Sequence, residues 1–220
     1  MAVQVKICGI NSVESADAAL RARADFAGLV FHPKSPRALN AEQAVALADR
    51  LRGRAKIVTL LVDPDDAMLK MVVSKVKPDI LQLHGRESAA RVSEIRAQTG
   101  LPVMKAIAIA EASDFAAVPE YEAVADMILF DAKAPANATR EGGHGAAFDW
   151  QLLRGRNFKR PWLLAGGLTA DNVAQAIAVT GAPGVDVSSG VESAPGVKDV
   201  SLIARFADAA RNAQNMSSSA

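Results

Sequence analysis

The 220-residue chain has one cysteine, Cys8. That excludes an internal disulfide and any cysteine-rich metal site, and it suits a reducing cytoplasm. Neither sign of charge is in excess: 25 Lys and Arg against 24 Asp and Glu leave a formal net charge of +1. So balanced a chain has no bulk attraction for nucleic acid or for an acidic membrane surface. No uninterrupted apolar stretch approaches the length that spans a bilayer. The segment Met1-Ala2-Val3-Gln4-Val5-Lys6 lacks the basic head and apolar run of a signal peptide. A dinucleotide fingerprint is missing as well, because the first strand candidate runs into Cys8-Gly9-Ile10-Asn11 without the glycine pattern. What is present is apolar material, 50% of the residues, enough for a sizeable globular core.

That material is organised. Short apolar runs recur at 3–8, 25–31, 56–62, 79–84, 102–107, 126–131, 161–165 and 184–188. Most follow their predecessor by roughly two dozen residues, one strand plus one crossover helix. Ser12 is placed to cap a helix through Ala19 and Leu20, and Asn40 one through Val45 and Leu47. Another helix opens near Asn172 with Val173, Ala176 and Ile177 on one face. Alternating strands and helices, repeated eight times, predict an α/β fold of the (β/α)8 TIM barrel type. An open doubly wound sheet is the alternative. Residues 1–211 read as a single barrel domain and residues 212–220 as a disordered tail.

Strand side chains alternate between two faces. In the first strand Val3, Val5 and Ile7 form the apolar set, and Gln4, Lys6 and Cys8 the other. The same division puts Gln82 and His84, then Met127, Leu129 and Asp131, then Asp186 and Ser188 on the second set. Since the helix-facing set must be apolar to pack, the second set faces the barrel axis. Its polar members gather at the C-terminal mouth, where barrel enzymes keep their active sites. A lone thiol is as often core filler as chemistry. Lys6 is placed to neutralise Asp186, and His84 reads either as a hydrogen-bonded wall or as a substrate contact. Asp131 ends an apolar run, where a carboxylate is costly unless it is partnered or functional.

Two glycine-bearing loops, Leu164-Ala165-Gly166-Gly167-Leu168-Thr169 and Asp186-Val187-Ser188-Ser189-Gly190-Val191-Glu192, follow the last two strands. Glycines admit an anion to the backbone N–H groups and serines add hydroxyl donors, so the pair predicts a phosphorylated small-molecule substrate. The loop after the second strand, His32-Pro33-Lys34-Ser35-Pro36-Arg37, is stiffened by prolines and offers Arg37 as a fork for a carboxylate; a solvated surface arginine is the alternative. A long excursion over 132–147 contains Gly142-Gly143-His144-Gly145 and reads as a lid or binding loop, with His144 either in use or idle at its tip.

Lys6-Ile7-Cys8-Gly9-Ile10, the loop at 31–37, Gln82-Leu83-His84-Gly85, Phe130-Asp131, the run from Gly142 through Phe148-Asp149-Trp150, and the two glycine loops together resemble the phosphoribosylanthranilate isomerase family of tryptophan biosynthesis. The resemblance runs in order over nearly the whole chain, to Pro195-Gly196-Val197-Lys198-Asp199. It implies a (β/α)8 barrel and a cytoplasmic isomerase that uses no cofactor and no metal. The implied reaction is an Amadori rearrangement of N-(5-phosphoribosyl)anthranilate to 1-(2-carboxyphenylamino)-1-deoxyribulose 5-phosphate. It further implies Cys8 as general base, Asp131 as general acid, and Arg37 near the anthranilate carboxylate. Gln82, His84 and Asp186 join Arg37 as substrate-binding candidates, and Gly166, Gly167, Ser188, Ser189 and Gly190 hold the phosphate. One departure lies in Gly142-Gly143-His144-Gly145-Ala146, where the family often has threonine and then a basic residue.

A free thiol titrates near pH 8.5, so a base at Cys8 needs a stabiliser, and Lys6 on the same face is the candidate. Two other readings remain at this point: a barrel isomerase for another phosphosugar, and a phosphometabolite sensor without catalysis. No protein partner is legible.

Overall fold

Asp25, Asp79 and Asp126 each stand just ahead of an even-numbered strand and do the same thing. Each donates its backbone N–H to a carbonyl of the preceding strand (Val5, Ile57, Val103). Each then accepts that same residue's N–H on its carboxylate, at 2.8, 2.7 and 3.0 Å. This two-way clasp sets the pairing register of three consecutive strand pairs. Asp79→Ala leaves the Ile57 N–H without its partner and is expected to lower stability by about 1 kcal/mol, read by denaturant unfolding.

The computed structural model describes residues 2–132 and 149–217, the last four of these by backbone alone. Its strands are β1 (Gln4–Cys8), β2 (Phe26–Val30), β3 (Lys56–Leu61), β4 (Ile80–Leu83), β5 (Val103–Ile109), β6 (Met127–Ala132), β7 (Trp162–Leu164) and β8 (Gly184–Val187). They pair in parallel in that order and close, β8 against β1, into a barrel. All eight expected strands are present. The fifth runs two residues further than expected, because Ala108 and Ile109 pair with Asp131 and Ala132 of β6.

Helices α1 (Val13–Arg21), α2 (Ala41–Leu51), α3 (Asp66–Met71), α4 (Ala89–Thr99), α5 (Val118–Val124), α6 (Val173–Thr180) and α7 (Val200–Ser217) surround the barrel. Ser12 and Asn40 cap α1 and α2 as expected, each in a reciprocal capping box with Ser15 or Gln43. Val173, Ala176 and Ile177 form the buried face of α6. Of the residues read from the sequence as tail, 212–217 lie in α7. No glycine or proline interrupts that segment, Ala210 and Ala213 are buried three residues apart, and Arg211 donates to the Ala22 and Arg23 carbonyls. A short hairpin, β9 (Glu192–Ala194) and β10 (Val197–Lys198), was not anticipated.

Val5, Ile7, Leu29 and Ile57 belong to the large layer between sheet and helices, whereas Phe26, Val58, Ile80, Met104, Leu129 and Leu163 fill the barrel interior. Polar groups of the inward set, Lys6, Gln82, Asp131 and Asp186 among them, stand beside this apolar filling. Lys105 breaks the rule that helix-facing strand residues are apolar. It shares a parity with Val103 and Ile107, yet its ammonium is satisfied by Glu87 Oε2 at 2.7 Å and the Gly85 carbonyl at 2.7 Å. Glu87 in turn accepts from the N–H groups of Asp63 and Gly85, so this buried pair pins the loop after β4.

Candidate active site

One pocket opens at the C-terminal end of the barrel. Cys8, Arg37, His84, Asp131, Asp186 and both glycine loops line it. Every site residue expected from the sequence is therefore at this mouth except Gln82, which lies directly behind His84, fully buried. His144 and the rest of the 133–148 excursion, with Phe148, fall outside the described residues.

Lys6 and Asp186 are register partners on β1 and β8, both facing inward, with Nζ 3.0 Å from Oδ1. Cys8 is the ammonium's second neighbour of consequence for its charge. Burial works against its charge, but Asp186 and then Cys8 outweigh burial and hold Lys6 above the ordinary lysine range. Burial pushes the Cys8 thiol up; Lys6 pulls it back, Asp186 adds to the rise, and Lys198 lowers it further. Room for this contact comes from β2, where Gly28 is the register partner of Cys8. A Cβ at Gly28 would stand 3.0 Å from Cys8 Sγ and 3.2 Å from Lys6 Nζ.

Asp131 ends inward on β6. Its Oδ1 accepts the Ala132 N–H at 2.8 Å, and its Oδ2 lies 3.2 Å from His84 Nε2. Gln82 Nε2 lies 2.9 Å from His84 Nδ1. With the amide nitrogen donating, Nδ1 is the acceptor and Nε2 carries the hydrogen that reaches Asp131. Among the described residues Gln82 Oε1 has no hydrogen-bond partner. Gln82, His84 and Asp131 thus stand in a row of hydrogen-bond contacts running out to the mouth.

The two glycine loops form one cradle. Gly166 and Gly167 both have positive φ, +85° and +64°. A Cβ at Gly190 would run into the Leu168 carbonyl, so the loop after β8 lies directly on the loop after β7. Asn172 holds that loop from behind, accepting the Thr169 N–H at 2.8 Å and donating to the Gly167 carbonyl at 2.9 Å. Ser188 and Ser189 complete the lining.

Arg37 is not a solvated surface arginine. Its side chain is 6% exposed and forks Glu192, with Nε to Oε1 at 2.6 Å and Nη2 to Oε2 at 2.8 Å. Lys198 Nζ reaches the same carboxylate at 2.8 Å. Glu192, Lys198, Asn172 and the Lys105–Glu87 pair were not singled out in the sequence. A signal existed only for Glu192, a charge directly after a phosphate-type loop. Among the described residues no group of three or more His, Cys, Asp or Glu could hold a metal ion, and no helix is long and apolar enough to cross a membrane.

A family model described as N-(5'-phosphoribosyl)anthranilate isomerase matches residues 5–209. A protein of that name from Rhodopseudomonas palustris (strain BisB18) is 56% identical over 98% of this chain and 99% of its own length. One from Bradyrhizobium sp. (strain ORS 278) is 51% identical over 99% of each. The crystal structure of phosphoribosyl anthranilate isomerase from Thermotoga maritima superposes with a TM-score of 0.85 at 36% identity, covering 96% of this chain and 99% of that one. A further structure of the enzyme, in complex with reduced 1-(o-carboxyphenylamino)-1-deoxyribulose 5-phosphate, gives 0.82 at 33% identity, over 96% and 99%. With the match running through Cys8, Asp131 and both glycine loops, this chain belongs to the N-(5'-phosphoribosyl)anthranilate isomerase family, isomerases of tryptophan biosynthesis.

Proposed function

We propose that this protein converts N-(5-phosphoribosyl)anthranilate to 1-(2-carboxyphenylamino)-1-deoxyribulose 5-phosphate in the cytoplasm, with Cys8 as general base and Asp131 as general acid. The convergence of Cys8, Asp131 and a two-loop anion cradle on one pocket carries this reading. A ligand of this class enters the reading also because a relative's structure holds the reduced product.

The steps follow from proton bookkeeping. Asp131 gives its proton to the furanose ring oxygen as the C1–O bond breaks, leaving a C1=N iminium. Cys8 as thiolate takes the C2 proton, and the electrons of that C–H bond form the C1=C2 bond of an enolamine. The enol proton is then lost from the C2 oxygen and a proton is gained at C1, giving the ketone. Asp131 ends ionised and Cys8 ends protonated; exchange with solvent, for Asp131 by way of His84, resets both. The phosphate sits on the loops of Gly166, Gly167, Ser188, Ser189 and Gly190, and Arg37 faces the anthranilate carboxylate. Gln82 and His84 keep Asp131 oriented, and Asp186 holds Lys6 beside the thiol.

Incubation with N-(5-phosphoribosyl)anthranilate, followed by loss of substrate and appearance of the ketose, tests the reaction. Tight binding without turnover indicates a sensor, and turnover of a different phosphosugar alone indicates another isomerase. Lys6→Met is expected to move the Cys8 titration to still higher pH, because the cation that favours thiolate is gone. The rising limb of kcat/KM against pH should move with it. Alkylation rate against pH measures this cleanly, since no second thiol competes. An unchanged titration removes Lys6 from that role.

A further inference from the structure

The strongest arrangement outside the acid–base pair is the one around Glu192. Each of its carboxylate oxygens accepts two donors: Oε1 takes Arg37 Nε and Lys198 Nζ, and Oε2 takes Arg37 Nη2 and the Gly196 N–H at 3.2 Å. The Glu192 and Lys198 side chains are 4% and 1% exposed. Lys198 also donates to the Ser188 carbonyl at 2.8 Å, and Asn11 holds the Gly196 carbonyl at 2.8 Å. Hairpin β9–β10 is thereby fastened to the loops after β1, β2 and β8.

Two consequences follow. Glu192 engages the Nε edge of the guanidinium, which leaves three of its five N–H groups, including both on Nη1, for another acceptor. An isolated Arg–Glu pair carries no net charge and attracts an anion poorly. Lys198 brings the group to a net +1, so a substrate carboxylate completes the neutralisation.

We propose that Glu192, saturated by Lys198 and Gly196, is the positioning residue that turns Arg37 toward the substrate's carboxylate, and that the β9–β10 hairpin exists at this site to hold it. The inference rests on Arg37 being the carboxylate ligand of the proposed function. It adds no catalytic group; it explains why a buried arginine beside a glutamate remains able to bind an acid.

The test compares the parent protein, Glu192→Gln, Arg37→Met and the double variant. It measures kcat and KM with N-(5-phosphoribosyl)anthranilate, and the affinities of the reduced ketose product and of ribose 5-phosphate, which lacks the carboxylate. A glutamine turns an N–H₂ toward one of two cationic donors and cannot keep the fork. Glu192→Gln is expected to raise KM about 10- to 100-fold with kcat within about threefold, as misorientation without loss of chemistry does. It should weaken the reduced product and leave ribose 5-phosphate unchanged. In the double variant it should add nothing to Arg37→Met, because it acts only through that residue. Additive losses, or an equal loss for ribose 5-phosphate, would overturn the positioning role. An Arg37→Met variant with undiminished preference for the carboxylated ligand overturns the Arg37 assignment itself and the inference with it. Should Glu192→Gln not fold, Gly196→Ala serves instead. Gly196 has φ +81°, and a Cβ there would lie 2.5 Å from the Pro36 carbonyl, which shifts the hairpin without removing a charge. The same rise in KM is expected, and an unchanged KM overturns the proposal.

Discussion

Cys8→Ala lowers turnover about 10³-fold, a loss of about 4 kcal/mol of transition-state stabilisation, while phosphate affinity stays near that of the parent. In the proposed mechanism the step it removes is C2 deprotonation, for which the described residues of the pocket offer no equivalent base at the same position. Lys6 is held as an ammonium by Asp186, and Asp186 is occupied by Lys6 at 3.0 Å. The cradle proposed for the phosphate is built from the loops after β7 and β8, so ribose 5-phosphate binding serves as a separate report on folding. The pH dependence adds a second check. Burial holds the thiol above the ordinary range, so the parent's kcat/KM rises with pH toward the alkaline side as thiolate accumulates. That limb should vanish in Cys8→Ala. A variant with near-normal turnover and the same rising limb would remove Cys8 from the mechanism.

Asp131→Asn is expected to cost about 10²- to 10⁴-fold in turnover, the span of a lost general acid. Asparagine keeps the shape of the side chain and can still accept the Ala132 N–H that Asp131 Oδ1 accepts at 2.8 Å. What it cannot do is release a proton to a ring oxygen. Because ring opening precedes everything else, an open-chain ligand should be indifferent to the change. Affinity for the reduced ketose product is therefore expected to stay within several-fold of the parent, while the closed-ring substrate is bound and scarcely processed. Parallel loss of product-analogue affinity would reassign Asp131 to substrate binding, and normal turnover would free it from both roles.

Much of this site was legible because strand side chains alternate strictly. Once Val5 and Ile7 were given to the helices, Lys6 and Cys8 had no face left but the axis, and both are buried there. The same logic failed at Lys105, whose parity says helix layer and whose charge says otherwise. Its partners, the Leu83 carbonyl at the end of β4 and the Gly85 carbonyl and Glu87 carboxylate of the loop that follows, lie 22, 20 and 18 positions earlier and carry no local signal. The spacing left Arg37 open between a fork for a carboxylate and a solvated surface arginine, because the Glu192 that buries and pairs it lies 155 positions later in the chain. The segment after residue 211 is a different case. Polar composition reads as tail, yet a helix docked through Arg211 and Ala213 runs on past Arg211 to Ser217.

Local chemistry thus determined the elements: strand by alternation, helix start by Ser12 and Asn40, anion loop by paired glycines. These depend on neighbours a few residues apart, and neighbours a few residues apart are what a sequence displays. Closure belongs to the tertiary structure alone. Pairing β8 with β1 sets Asp186 beside Lys6 across 180 positions of chain, and Lys6 opposes the rise that burial imposes on the Cys8 thiol. The same closure brings Glu192 and Lys198 to Arg37. Charge partners of this kind are chosen by which strand ends share a mouth, a property of the ring and not of any segment in it.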